Sequence, residues 1–267
     1  MFINEDARQR FFRWKLESGF LWNFAFSMLF AALTGLGAQL KLYLPFTPVP
    51  ITAQVFFVLL SGAVLGRSYG ALSMLMYAAL GALGVPWFAG GRAGVEVLLG
   101  ATGGYILGFI LAAYLIGHFT HSYVGTRTPA SQLTLMFAGV ALIYLPGTVQ
   151  LAQVMHLGLG DALALGVLPF IPGDILKALA AVAVTAWVLP RAAYSSEKDA
   201  HGNRSSIRHR LGMLAALLTA LFVALFWLKL LSLNAPDASE LLWYTVSYSA
   251  AVLLSAGCAL HLTRHTA

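Results

Sequence analysis

Two opposite charges stand near the start of an apolar segment that continues to position 189. Asp174 follows a Pro-Gly pair, and the sequence predicts that a helix begins there, with the carboxylate near the free N–H groups. Lys177 is three residues further on and is expected on the same helix face. One interpretation is a capped helix whose Lys side chain extends to water. The other is a polar clamp for a ligand at the membrane surface.

Two irregular stretches supply further residues that could contact a ligand. Residues 43–50 contain three prolines, and residues 86–104 contain six glycines. Glycine-rich backbone at membrane depth is tolerated only where protein or a cavity covers it. The side chains suited to a charged or ring-containing ligand are Trp87, Phe88 and Arg92 in the second stretch, together with Tyr105 and Phe170 outside the two stretches. Core packing is the alternative role for each of these aromatic residues.

Known catalytic arrangements are missing from the sequence. It has no His-Glu-x-x-His motif, no Gly-x-Ser-x-Gly motif and no Walker motif, and Cys258 is its single cysteine. His156 and Asp161 could form an acid–base pair, but their spacing in a loop is more typical of interfacial polar residues. The sequence therefore predicts no catalytic residue, no metal and no cofactor.

The composition indicates an all-α protein that crosses a membrane several times. Of the 267 residues, 59% are hydrophobic and only 10% are charged, and the mean hydropathy is +0.79. A soluble domain with this balance could not cover its surface with polar groups. The net charge of +6 would suit nucleic acid, but its distribution along the chain is explained by membrane topology, so no nucleic-acid partner is predicted.

Apolar segments of membrane-spanning length divide the chain into units. The predicted bundle has six helices, at 20–42, 51–65, 69–85, 105–119 and 132–155 and from Asp174 to position 189. Pro146 and Gly147 interrupt the fifth of these and are expected to kink it. Two further segments, 211–233 and 241–262, are predicted to form a transmembrane hairpin, which makes eight spans.

Three regions follow from this division. Residues 1–190 form the predicted binding domain, 191–210 a polar cytoplasmic linker, and 211–267 a helical hairpin of unassigned role. Most of the 16 Lys and Arg residues flank one side of the spans. The positive-inside rule then puts both termini in the cytoplasm and the two irregular stretches on the outer side of the cytoplasmic membrane. Residues 5–17 are interpreted as an interfacial helix or a charged cytoplasmic flank.

The first predicted helix carries a face of small residues. Ser27, Ala31 and Gly35 recur every four positions, and small faces allow helices to approach closely. Two interpretations stay open, which are packing inside the bundle and docking of another subunit.

Four sequence blocks resemble, in order, the signature blocks of the BioY family. They are PFTPVPIT at 45–52, GVPWFAGG at 84–91, TGGYILGF at 102–109 and LPFIPGDILKA at 168–178. BioY proteins are the substrate-binding S components of energy-coupling-factor biotin transporters. The resemblance extends over residues 20–190 and says nothing about the hairpin.

The resemblance implies a six-helix S-component fold with a biotin site near the outer surface. It adds Thr47 and Gly91, which lie in the first two blocks, to the candidate substrate-binding residues. It also implies toppling of the S component in the membrane, driven by a membrane-embedded T subunit and two cytoplasmic ATPases. Some family members take up biotin without these partners.

Biotin matches the chemistry of the candidate residues. Asp174 can accept hydrogen bonds from the ureido N–H groups, Lys177 can donate to the ureido oxygen, and Arg92 can hold the carboxylate. Uptake of biotin as an S component is the leading hypothesis. A self-sufficient biotin carrier and, from a different class, an intramembrane enzyme using His156 or Asp161 are the alternatives.

Overall fold

A computed structural model describes residues 5–190 as a bundle of helices. The predicted linker and hairpin, 191–267, lie outside the described residues. The helices are α1 (Glu5–Glu17), α2 (Phe20–Gln39), α3 (Gln54–Ala82), α4 (Val95–Leu99), α5 (Gly103–Ser122), α6 (Pro129–Met155), α7 (Leu159–Gly166) and α8 (Ile171–Val188). Two short strands, β1 (Lys41–Leu42) and β2 (Ile51–Thr52), pair in antiparallel fashion.

Five helical segments of the described part are long and apolar enough to cross a membrane. They are Phe20–Gln39, Gln54–Ala82, Gly103–Ser122, Pro129–Met155 and Leu159–Val188. The last one combines α7, a short 3-10 turn and α8. The prediction of a helical protein with several membrane spans is confirmed at this level.

Helix α3 reverses direction in its middle. Gly66 has φ of +82°, a conformation that favours glycine, and interrupts the helical backbone. The Gln54 amide nitrogen lies 2.6 Å from the Tyr77 hydroxyl, whereas a straight helix would separate these residues by about 34 Å. The segment is therefore two antiparallel arms, which confirms the prediction of two separate helices, 51–65 and 69–85, with a break between them.

Helix α1 packs across the end of the bundle where this turn lies. Arg8 donates to the carbonyl oxygen of Ala186 at 3.0 Å, and Lys15 donates to that of Leu65. The Phe12 ring is buried in the same contact. Residues 5–17 thus form a helix docked on the bundle.

Two predicted helix details are wrong. Helix α8 begins at Ile171 instead of at Asp174, and Gly173 lies inside its first turn. Pro172 fits there because the first helical N–H groups have no partner within the helix. A short 3-10 turn, Leu168–Phe170, directly precedes the helix. Helix α6 also continues through Pro146 to Met155, so the predicted interruption is wrong, while the expected kink stays a prediction.

The small face of α2 packs inside the protein, so its assignment to partner docking is wrong. Ser27 and Ala31 are fully buried, and Ser27 donates a hydrogen bond to the carbonyl oxygen of Tyr69 at 3.0 Å. A Cβ atom placed on Gly35 would lie 2.9 Å from the Cβ of Trp87. The small side chains are needed because α3 and Trp87 approach α2 closely.

Candidate functional site

A cavity opens at the end of the bundle opposite α1. The space inside it, with its open mouth included, is about 620 Å³. Its wall comes from the end of the Pro-rich loop, both arms of α3, the Gly-rich stretch, α5, α6 and the start of α8. Among the predicted substrate-binding residues, the cavity is lined by Phe88, Tyr105, Phe170, Asp174 and Lys177.

The charged pair forms the polar centre of this cavity. Asp174 is only 4% exposed, and its Oδ1 atom lies 2.7 Å from the ammonium nitrogen of Lys177. The i,i+3 spacing on α8 brings the two side chains together, as the sequence predicts. Because a buried carboxylate is costly without a partner, the Lys177 ammonium stabilises it in place.

Tyr144 completes this cluster, and sequence reasoning missed it. Its hydroxyl donates to the Oδ2 atom of Asp174 at 2.5 Å. Tyr144 lies on α6, thirty positions before Asp174 in the chain. Only the packing of α6 against α8 brings the two residues together, so no local sequence pattern could have found the contact.

A second polar group lines the cavity near the start of α3. The Thr52 hydroxyl lies 3.0 Å from the Gln54 side-chain oxygen, and Gln54 donates to the Tyr77 hydroxyl at 2.6 Å. Gln54 is buried in the first helical turn. The polar residue in an otherwise apolar segment was a signal that sequence reasoning did not use.

Aromatic side chains form much of the remaining wall. Phe88 is 1% exposed and meets the Tyr77 ring edge to face, with 5.4 Å between centroids. Phe170 is buried just before the charged helix. The Tyr105 hydroxyl donates to the carbonyl oxygen of Gly166 at 2.9 Å, so its ring rather than its hydroxyl is left for the cavity. These walls suit an apolar ring system.

Three other candidates support the site from behind and do not line the cavity. Trp87 donates from its indole nitrogen to the carbonyl oxygen of Tyr77 at 2.9 Å. Thr47 donates to the carbonyl oxygen of Leu165 at 2.6 Å and thereby ties the Pro-rich loop to α7. Gly91 has φ of +69° in an exposed turn.

Arg92 lies in a hollow beside the cavity. The hollow is also lined by Glu96, and it shares Val97 and Thr102 with the cavity wall. The Arg92 side chain is exposed, and its Nε atom donates to the carbonyl oxygen of Ala89 at 3.1 Å. Arg92 therefore adjoins the mouth of the cavity and is separate from the Asp174 cluster.

The structure gives no support to catalysis by His156 or Asp161. His156 ends α6 in a left-handed conformation, and Asp161 lies in the first turn of α7. Both are exposed, and neither is part of the cavity wall. Within residues 5–190, no group of three His, Cys, Asp or Glu side chains is placed to hold a metal ion.

Several known proteins are similar to this chain in sequence. A biotin transporter BioY described as probable, from Methanothermobacter thermautotrophicus, is 50% identical over 147 residues, which cover 52% of this chain and 94% of that protein. The biotin transporter BioY of Thermotoga maritima is 40% identical over 156 residues, covering 58% and 89% respectively.

A solved structure has a similar fold. It is the crystal structure of the S-component for biotin from an ECF-type ABC transporter, with a TM-score of 0.58 and 28% identity. The match covers 62% of this chain and 89% of that one. The model of the BioY family matches residues 14–194, which include the whole cavity. The chain is therefore a member of the BioY family.

Proposed function

We propose that this protein binds biotin in the cavity and takes part in its uptake across the cytoplasmic membrane. The observation that carries the proposal is the buried cluster of Asp174, Lys177 and Tyr144 in an otherwise apolar and aromatic cavity. Membership of the BioY family and the biotin transporters among its relatives support the choice of ligand. The protein is a transport component and not an enzyme.

The charged pair suits one edge of the biotin urea. A cyclic urea presents an N–H donor beside a carbonyl acceptor, and Asp174 and Lys177 present an acceptor beside a donor, 2.7 Å apart. Hydrogen bonds to charged groups contribute about 1.5–3 kcal/mol each, so this edge would supply much of the specificity. The aromatic wall formed by Phe88, Phe170 and Tyr105 would hold the apolar thioether ring.

The carboxylate of biotin would extend toward the adjoining hollow. Arg92 lies there, next to the shared wall residues Val97 and Thr102. An exposed guanidinium can pair with a carboxylate in two-point fashion, although solvent weakens the pair. Thr47, Trp87 and Gly91 act in this proposal by shaping the loops around the site.

We further propose that the bundle spans the membrane with the cavity on the outer side and both termini in the cytoplasm. Basic residues concentrate at the α1 end, where the positive-inside rule expects the cytoplasm. If the two arms of α3 are counted separately, the five candidate spans become six. The segments 211–233 and 241–262 would bring the number of spans to eight. Reporter fusions after residue 200 and at the C-terminus should both report a cytoplasmic location.

The proposed partners are a transmembrane T subunit and two ATPases, as for other S components. The test of the function is uptake of radiolabelled biotin by cells that express this chain alone or together with candidate coupling subunits. Uptake that requires the subunits supports the S-component role, and uptake by the chain alone supports a self-sufficient carrier. Absence of biotin binding by the purified, monodisperse chain would refute both.

The proposed domain division has its own test. All of the residues assigned to biotin lie before residue 190, so a chain that ends near residue 200 should bind biotin with similar affinity. Any defect should appear in uptake or in oligomer size. Calorimetry and light scattering on the truncated and full-length proteins would measure both, and loss of binding by a monodisperse truncated protein would place the hairpin in the site.

A further inference from the structure

Tyr144 brings a rigid aromatic side chain to the polar cluster. Its ring is half-buried and packs against both of the large apolar clusters of the bundle. The Tyr side chain has two rotatable bonds, whereas Lys177 carries its charge on a flexible four-carbon stem. The position of the hydroxyl is therefore set by the core, independently of any ligand.

The hydroxyl holds one oxygen of Asp174 and leaves the other to Lys177. Tyr144 contacts Oδ2 at 2.5 Å, and Lys177 contacts Oδ1 at 2.7 Å. A carboxylate has about four acceptor positions in total, so each oxygen keeps capacity for a further donor. A carboxylate held at both oxygens cannot rotate about its terminal bond without breaking a charged hydrogen bond.

We infer that Tyr144 is a positioning residue that fixes the Asp174 carboxylate for recognition of a neutral ligand N–H group. This inference rests on the proposed binding of biotin. Tyr144 acts through Asp174: the Lys177 ammonium balances the charge of the carboxylate, and the Tyr144 hydroxyl disperses part of that charge by hydrogen bonding. The cluster as a whole is thereby matched to an uncharged urea and not to a cationic analogue of the same shape.

A double-mutant cycle on the full-length protein tests the first part. Tyr144→Phe removes one oxygen atom and should weaken biotin binding by about tenfold, the size expected for a lost charged hydrogen bond. In an Asp174→Asn background the same change should have less than a twofold effect, because the charged acceptor has been replaced by a neutral amide. Equal effects in both backgrounds, or no effect in either, would overturn the inference.

Tyr105→Phe is the matched control. It removes a hydroxyl from a residue of the same cavity, but that hydroxyl bonds to the carbonyl oxygen of Gly166 and not to Asp174. Its effect on biotin binding should be the same in the wild-type and Asp174→Asn backgrounds. Non-additivity of Tyr105→Phe as large as that of Tyr144→Phe would show a general loss of the site and would also overturn the inference.

The ratio of the affinities for two ligands of different charge is a measurement that a general structural defect would not change. In 2-iminobiotin a guanidinium replaces the urea, so the analogue is cationic at neutral pH. Tyr144→Phe should raise the affinity for 2-iminobiotin relative to biotin by several-fold, because a hydrogen bond that disperses the charge of the carboxylate is lost. An unchanged ratio of the two affinities would contradict the charge matching.

Incorporation of 4-aminophenylalanine at position 144 separates folding from positioning. The amino group keeps an N–H donor near the position of the hydroxyl, so biotin affinity should recover most of the tenfold loss. Affinity as low as that of Tyr144→Phe, in a protein that stays monodisperse, would count against the inference. If the wild type does not bind biotin at all, the proposed function fails and the inference falls with it.

Discussion

Buried charges lie at both ends of the helical bundle, and they find their partners in different ways. At the cavity end, Asp174 pairs with Lys177 and Tyr144 on the wall of an open space. At the other end, the cations donate to backbone carbonyl groups in closed packing. Charges that face a cavity can exchange partners with a ligand, whereas charges committed to the backbone hold helices in place.

The closed end shows how cations stabilise helix termini. Arg8 donates to the carbonyl oxygen of Ala186, in the last turn of α8. Arg127 donates from Nε to the carbonyl oxygen of Thr120, in the last turn of α5, at 3.1 Å. The last carbonyl groups of a helix lack partners within it and carry partial negative charge, so cations are favourable there.

The largest expected difference between the two ends concerns ligand affinity. Asp174→Asn and Lys177→Ala should each weaken biotin binding by about tenfold or more, because each removes a charged hydrogen bond from the cavity. Calorimetric titration of the purified variants would measure the loss. Near-wild-type affinity in both variants would show that Asp174 and Lys177 do not contribute to biotin binding.

Arg127→Met should produce the opposite pattern. It removes the bonds to the carbonyl oxygens of Thr120 and Pro190 and the contact of the guanidinium with the Phe12 ring, at 4.6 Å. Loss of partners for buried groups costs about 1–3 kcal/mol, so the melting temperature should fall while biotin affinity stays unchanged. A variant with a normal melting temperature and weakened biotin binding would contradict the claim that charges at the α1 end stabilise the fold without contributing to ligand binding.

Lys15 gives the closed end a signature in the pH dependence of stability. Burial lowers the pKa of the Lys15 ammonium from 10.5 to about 8 in the folded protein. Between these values the unfolded chain binds the additional proton, so this group makes the folded state more stable as the pH rises from about 8 toward 10.5. Melting temperatures of the wild type should show this rise, and Lys15→Met should reduce it. Identical pH profiles would contradict the burial of a titrating Lys15.

Arg92→Gln should have the smallest effect. The side chain is exposed beside the cavity, and exposed ion pairs contribute little, so biotin affinity should fall by about two- to fivefold. Biotinamide, which lacks the carboxylate, should bind the wild type and the variant equally well. A similar loss for both ligands would assign Arg92 to the shape of the loop instead of to the carboxylate.

Much of the fold could be predicted from local features of the sequence. Apolar segments of spanning length located α2, α5 and α6, and Gly66 with its polar neighbours located the reversal inside α3. The start of α8 was placed three residues late, because Pro172 and Gly173 can serve either a turn or a first helical turn. The burial of Ser27 and Ala31 depends on what packs against α2, and periodicity alone left that open.

The site was predictable where its residues are neighbours in the chain. Asp174 and Lys177 share one helix turn, and their charges stand out from an apolar background. Tyr144 and Gln54 join the site from other helices, so tertiary packing decides their contribution. Thr47 and Trp87 were expected to contact the ligand, but their polar atoms bond to the backbone of neighbouring loops and helices.

Thermal stabilisation by biotin tests the contrast between the two ends most directly. A ligand that binds only the folded state raises the melting temperature by an amount that depends on its concentration relative to Kd. At one low biotin concentration, the wild type and Arg127→Met should show equal upward shifts, although Arg127→Met begins from a lower melting temperature. Asp174→Asn should show a much smaller shift, whatever melting temperature it begins from. A wild-type shift in Asp174→Asn, or its loss in Arg127→Met, would contradict the assignment of ligand binding to the cavity end.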